Sequence, residues 1–514
     1  MDGLSRFMES NMRILIFLLT FAAMLIASPT VPDAMAQQGE PVARPGAPVG
    51  RQPLPEPYAE SLREDPYADI MRQDITKPVP TGVEDPVLNR QPGDMTFALE
   101  SAVKRGLQAN PQIRAARFAV RAGEYNRLAQ LGEFGFKVDV TYGVEHYLGS
   151  ENRSQLSFTR TGAEAPDNLY SFTASLTQPL FTGFRLLNGY QRAKLAKEQA
   201  EAQLRQAELQ LMLSIQTNYL ELLRARMDLK SREDAVARLE SQLKVSQAFY
   251  DVGLQPRLDV LQAETELANA RQLQLNAQNR VSTQVIRLNT LLDLPIDAPV
   301  RYEGDLDYVP FDMELDRSLE LAYAQRPNLN IARKSVEIAQ RDAGIVASRF
   351  YPNVNAQLSY SSVGDDPSAN GYDSSDDETS DTSIGATLSW NVFEWGATYN
   401  SYLAAKENVS QLESALANER LNVSFEVKAN LLAIQEAADR IRAGKTSIVA
   451  SREGFRMALA RYQAQVGTYT EVLDAQSNVT QSEALLAQAL SDYQTAIANL
   501  YASVGEFNPA LRPM

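Results

Sequence analysis

The chain of 514 residues carries 49 basic and 64 acidic side chains and one histidine, a formal net charge of −15. That balance excludes the basic surface a nucleic-acid binder needs. Cysteine is absent, which excludes thiolate chemistry, disulfide staples and an acylated cysteine anchor, and suits an exported protein.

Arg6 and Arg13 precede an apolar run of thirteen residues over 14–26, and Ala34-Met35-Ala36 then offers an Ala-x-Ala cleavage site. Residues 1–36 therefore read as a secretory signal peptide. The run is too short for a spanning helix, which needs roughly 20 residues. Residues 37–93 hold eleven prolines. A segment of that composition reads as an extended or disordered leader.

A first structural repeat is expected over 94–305, with strands near 134–148 and 168–181. Phe136, Val138, Val140, Tyr142 and Val144 alternate with Lys137, Asp139, Thr141, Gly143 and Glu145; Phe172, Ala174 and Leu176 alternate with Ser171, Thr173, Ser175 and Thr177. Period two with one apolar face suits a transmembrane barrel wall, lipid outside and water inside. A soluble sheet with one face on a core is the competing reading, and no other element is sized to cover such a sheet. His146, at the external end of the first strand, is assigned no chemistry. After Phe181 come about 70 residues without proline, on the order of 100 Å of helix at 1.5 Å per residue. Their apolar ridge repeats every seven residues: Ile215, Leu222, Leu229, Val236, Leu243 and Tyr250. That repeat predicts left-handed supercoiling against a neighbouring helix. The companion column is mixed (Leu211, Asn218, Ala225, Arg232, Leu239), as a helical wall with one wet side permits.

The whole pattern recurs over 306–506, ahead of a C-terminal tail at 507–514. Before the loops the matching positions lie 216 apart, as in Pro111/Pro327 and Val138/Val354; after them they lie 212 apart, as in Phe181/Phe393, Tyr250/Tyr462 and Leu261/Leu473. Strands are expected near 351–363 and 381–393, followed by a second heptad ridge, Val427, Ile434, Ile441, Ile448, Phe455 and Tyr462. Tyr147, Phe181, Trp390, Phe393 and Trp395 gather at strand ends, as interfacial girdles require. The stretch 364–381 holds seven acids and no base and reads as a solvated external loop. Four strands leave unpaired edges that a bilayer does not tolerate, and the smallest single-chain barrels have about eight strands. The chain is therefore expected to pool its strands with copies of itself.

Ala109-Asn-Pro-Gln-Ile113, Gln178-Pro-Leu-Phe-Thr-Gly183, Arg349-Phe-Tyr-Pro-Asn-Val354, Tyr250-Asp-Val-Gly-Leu254, Asp259-Val-Leu-Gln-Ala263 and Glu471-Val-Leu-Asp-Ala475 occur in order and duplicated. In these motifs the sequence resembles the TolC family of outer-membrane efflux and secretion channels, from about 94 to 506. The resemblance implies a mixed α and β membrane protein: a homotrimer whose twelve strands form one transmembrane β-barrel, continued by a periplasmic α-helical barrel. It also implies an exit duct of a tripartite efflux pump or type I secretion system, working with a periplasmic adaptor and an inner-membrane transporter or ATPase. No catalytic site, cofactor, metal or nucleic-acid partner is implied. A periplasmic coiled-coil scaffold or adhesin without pores is the alternative.

Each long helix breaks at a tip, 250–259 and 462–471. Gly253 and Gly467 are expected to allow the reversals, and Pro256 to start the returning helix. In the family such tips close the periplasmic entrance and receive the adaptor, which places Gly253, Leu254, Gly467 and Thr468 at the docking surface. Asp259, Glu471 and Asp474 match the family's acidic positions, so three copies of each would form carboxylate rings at the gate. Acids early in a helix also complement its dipole, which is the competing reading. Counted from Gly467, the second tip reaches its acid two residues sooner than the first does from Gly253. Tyr469 stands where a latch arginine is expected, so Arg257 and Tyr469 are candidate gate partners.

Overall fold

Among the residues that the computed structural model describes, 95–146, 168–369 and 380–508, one pattern of elements runs twice. The first pass is β1 (Met95–Phe97), α1 (Leu99–Ala109), α2 (Pro111–Gly132), β2 (Lys137–His146), β3 (Asn168–Phe181), α3 (Arg185–Asp251) and α4 (Arg257–Leu291). The second is β4 (Val300–Tyr302), α5 (Leu315–Gln325), α6 (Pro327–Ala347), β5 (Asn353–Gly364), β6 (Ser380–Ser389), α7 (Ala397–Gln463) and α8 (Tyr469–Val504). The expected signal peptide, the leader, Tyr147, most of the acidic loop and the last residues of the tail lie outside the described residues.

The two passes correspond down to single contacts. Helices α3 and α7 are 67 residues each, and both boundaries lie 212 apart. Pro111 and Pro327 open α2 and α6 at the first helical turn, where a missing N–H costs nothing. Just before them, Asn110 donates to the Leu291 carbonyl (3.0 Å) and Arg326 donates to that of Ser503 (3.4 Å). Different side chains make the same tie at equivalent positions.

The main core forms where α1, α3, α4, α5, α7, α8 and the first turns of α2 and α6 meet, around Ile215, Leu222, Leu288, Leu329, Val427 and Leu500. Each such side chain is worth about 1.5–3 kcal/mol of burial. A parallel pair, β1 with β4, rests on it. Tyr219 stitches the pair down, its hydroxyl shared between the Phe97 carbonyl at 2.9 Å and that of Glu303. Strands of three residues carry no readable period, so the sequence does not announce them.

Away from this core α3 packs on α4 and α7 on α8, and α3 against α8 joins the two hairpins. That joining seam is polar. Arg224 meets Gln488, Ser231 donates to Glu483 (2.5 Å) and Arg238 donates to Gln476 (2.8 Å).

The long strands form one antiparallel sheet in the order β2-β3-β5-β6. Register carries the alternation of each strand across all four. Val138, Leu176, Leu358 and Ile384 form one row, and the next row is Asp139, Ser175, Ser359 and Ser383. One face is thus apolar and the other hydroxylic and charged. Among the described residues no element covers the apolar face at the outer strands, where Ile384 is 79% and Val140 63% exposed. The outer edges of β2 and β6 have no strand partner among the described residues.

At each strand-to-helix joint two consecutive residues take positive φ: Gly183 (+58°) with Phe184 (+67°), and Trp395 (+47°) with Gly396 (+77°). The glycine has changed places between the copies. At 183 no other residue fits, since an added Cβ would stand 2.6 Å from the Ser348 carbonyl oxygen.

Candidate functional site

Both tips are built by the same backbone device. Where α3 ends, the Leu254 N–H donates to the Phe249 carbonyl (2.8 Å) and the Gly253 N–H to that of Tyr250 (2.9 Å). Where α7 ends, Val466 donates to Arg461 and Gln465 to Tyr462, both at 3.0 Å. This paired closure needs one residue in the left-handed region. In the first tip it is Gly253 (φ +76°); in the second it is Gln465 (φ +61°). The expectation that Gly467 makes the second reversal is therefore corrected. Gly467 serves close approach instead: an added Cβ there would stand 3.0 Å from Arg461 Cβ and 3.3 Å from a Glu471 carboxylate oxygen. With Gln465 as the counterpart of Gly253, the two tips have equal length, 253 to 259 and 465 to 471. The apparent two-residue shortening came from counting from the wrong glycine.

Pro256 and Thr468 are the N-caps of α4 and α8, so Pro256 sits one residue before the returning helix rather than within it. Thr468 Oγ1 accepts from the Glu471 N–H at 3.3 Å. Asp259 and Glu471 both fall in the first turn, where the helix dipole favours a negative charge. Glu471 pairs with Arg461 at 3.7 Å. Asp259 is half-buried, and that burial raises its carboxyl pKa. Asp474 is exposed, as is Arg257, which makes no ion pair with any of the three acids within the chain among the described residues. Tyr469, at the position equivalent to Arg257, is only 3% exposed. Its ring packs on Tyr462 at 5.6 Å between centroids, inside the chain's own tip.

Tyr462 is the residue that locks the tips together, and sequence reasoning saw it only as a heptad position. Its hydroxyl donates to Gln255 of the first tip (2.6 Å) and lies 3.0 Å from Ser246 Oγ on α3. Burial pushes the Tyr462 and Tyr469 hydroxyls up, and the charge of Asp259 adds to this in both. Leu254 stands exposed, and exposed Leu258 and Leu261 line a groove between α4 and α8 with Gln262, Thr470 and Leu473.

The profile of the outer membrane efflux protein family matches residues 102–293 and 318–506, well over half of the chain and both of its passes. The chain belongs to the outer membrane efflux protein family. It is a TolC-type outer-membrane efflux and secretion channel, with its long helices on the periplasmic side. The toluene efflux pump outer membrane protein TtgC of Pseudomonas putida is 24% identical over 428 residues, 79% of this chain and 83% of that one. The proteases secretion protein PrtF of Dickeya chrysanthemi is 20% identical over 418 residues, 80% of this chain and 89% of that one. The crystal structure of the Campylobacter jejuni CmeC outer membrane channel shares the fold at a TM-score of 0.70, with 16% identity over 79% of this chain and 85% of that one.

Proposed function

We propose that three copies assemble into a passive exit duct for a tripartite efflux pump or type I secretion system. The observation that carries this is the four-stranded sheet. It has one apolar and one hydroxylic face, both edges are unpartnered among the described residues, and it stands at the head of 67-residue helices. Such a sheet is stable in a bilayer only when closed on itself. Twelve strands from three chains would close it, lipid against the Val138 row and water against the Asp139 row. Twelve helical columns would then carry the lumen across the periplasm. The duct performs no chemistry; a periplasmic adaptor docked at the tips (Gly253, Leu254, Gly467, Thr468) links it to an inner-membrane transporter or ATPase that supplies the energy. Efflux and protein secretion both remain within this reading, as the names of TtgC and PrtF illustrate for those two proteins.

In the assembled duct Asp259, Glu471 and Asp474 would ring the periplasmic aperture. Like charges crowded in a ring raise one another's pKa and draw cations. Of the candidate gate partners, exposed Arg257 would pair with an acid of a neighbouring tip, whereas Tyr469, buried against Tyr462, would support its own tip from inside.

Planar-bilayer conductance tests this on wild type beside Glu471→Ala/Asp474→Ala, with and without a trivalent cation. The expected result is small cation-selective currents in wild type, blocked by the trivalent ion, and larger or unblocked currents in the double variant. Pores indifferent to both substitutions would move the gate elsewhere. No pore from verified trimers would overturn the duct and favour a scaffold.

A further inference from the structure

The internal repeat contains a template for the contact between copies. Within the chain β3 pairs with β5, so the first strand pair is joined to the second. The hairpins themselves are interchangeable: Val138 faces Leu176 in one and Val354 faces Leu388 in the other, each member displaced by its own repeat distance of 216 or 212. Carrying the β3–β5 register forward by the same displacements pairs β6 of one copy with β2 of the next.

We infer that β6 and β2 of adjacent copies join antiparallel with Leu388 opposite Tyr142, Ala386 opposite Val144 and Ser389 opposite Thr141. This rests on the proposed assembly of copies and adds the register. Both displacements are even, so the apolar rows stay on one face, and the three named pairs set apolar residues against apolar and hydroxyl against hydroxyl. A slip of one residue would turn the whole apolar set of one strand to the wet face. A slip of two would keep the faces but break the equivalence with β3–β5.

The helices follow the same rule. Helix α6 lies between α3 and α7, whereas α2 packs on α3 with no comparable contact to α7. The open side of α2 carries Phe118 and Tyr125, both more than half exposed. Phe118 occupies the position of Lys334, which meets Glu198 of α3 at 2.7 Å. The equivalent contact sets Phe118 against Ser410 on α7 of the preceding copy, replacing an ion pair by apolar burial.

The chain has no cysteine, so engineered pairs report without background. Residues directly opposite lie about 4.5–5.5 Å apart and diagonal ones about 7–8 Å; a disulfide accepts Cα separations of about 4.4–6.8 Å. Ser389→Cys/Thr141→Cys and Ala386→Cys/Val144→Cys test the register on the two faces. Ser389→Cys/Asp139→Cys and Ala386→Cys/Tyr142→Cys are the two-residue slips. All are made in the full-length protein, oxidised in outer membranes and run on non-reducing gels. The expected result is covalent trimer from both in-register pairs and chains of single mass from both slipped pairs. Cross-linking through a slipped pair with the in-register pairs silent overturns the register and leaves the assembly standing. Silence from every pair in a protein of trimeric native mass also overturns it. Silence with a native mass of one chain overturns the assembly itself.

Discussion

Gln465 holds a backbone conformation (φ +61°) that its counterpart Gly253 adopts without a Cβ. The left-handed region costs a side-chain-bearing residue about 1–2 kcal/mol, which glycine escapes. Gln465→Gly is therefore expected to steady the second tip by about 1 kcal/mol, slowing hydrogen exchange of the Val466 amide by about fivefold. Gly253→Gln should speed exchange at Leu254 by a similar factor, because open space around Gly253 leaves backbone strain as the whole cost. Unchanged exchange in both variants would show that the tips are held by packing alone. The Asp259 carboxyl supplies a second prediction at this scale. Its folded pKa is raised by burial, so the folded tip binds that proton more tightly than the unfolded chain does. Stability from this group is present at low pH and lost as pH rises through the raised pKa. Exchange at Val260 should accelerate over that window in wild type, and Asp259→Asn should flatten the dependence and leave the tip tight at neutral pH.

Side-chain satisfaction is incomplete along the long helices α3 and α8. Gln242 and Gln476 are each 6% exposed, and each has a buried amide nitrogen without a hydrogen-bond partner among the described residues. A buried unpaired polar group costs about 1–3 kcal/mol. Gln242→Leu is expected to raise resistance of the helical signal to urea, whereas Gln476→Leu should lower it by about 1–3 kcal/mol, since it strands Arg238. If both shift the midpoint alike, the amides are satisfied by water. These polar rungs explain what the sequence could and could not show. The ridge through Ile215 and Leu222 was legible because a seven-residue repeat sustained without proline admits one secondary structure. The mixed companion column, Asn218 and Arg232 included, signalled a second contact that is not wholly apolar, but the seam with α8 is made by its neighbours Arg224, Ser231 and Arg238, whose partners lie more than 200 residues away. Tyr250 and Tyr462 occupy equivalent heptad positions, yet Tyr462 is buried and Tyr250 exposed. Only the second tip leans on the other, through Gln255 and Ser246, and no local pattern encodes that lean. The acids were found through the resemblance, which matches Asp259, Glu471 and Asp474 to the family's acidic tip positions. Gln465 was missed because a glycine two residues on drew the count, although the 212-residue displacement already pointed to it.

At the scale of the whole molecule, duplication makes length a shared property of four long helices. The two tips can meet only if α3 with α4 reaches as far as α7 with α8. Rungs along each hairpin fix the levels: Arg271 with Glu240 and Arg280 with Asp228 in the first, Arg452 with Glu483 and Arg440 with Asp492 in the second. Residues 229–235 of α3 thus stand level with 274–280 of α4, and their repeat counterparts are 441–447 and 486–492. Removing seven residues from a helix with a seven-residue repeat restores the packing phase and shortens it by about 10 Å at 1.5 Å per residue. Deleting all four segments together should leave a trimer of native barrel and about 10 Å less helical wall, visible by electron microscopy, with conductance close to wild type. Deleting only 229–235 and 274–280 should also leave a trimer, because the sheet and the main core are untouched. Its first tip, however, would stop short of Tyr462, so Gln255 and Ser246 lose their partner and Asp259 no longer stands beside Tyr469. That protein is expected to leak, with larger currents and weaker trivalent-cation block than the balanced deletion. Equal currents from the two deletions would mean that each tip closes on its own, and that the interlock through Tyr462 contributes nothing to the aperture.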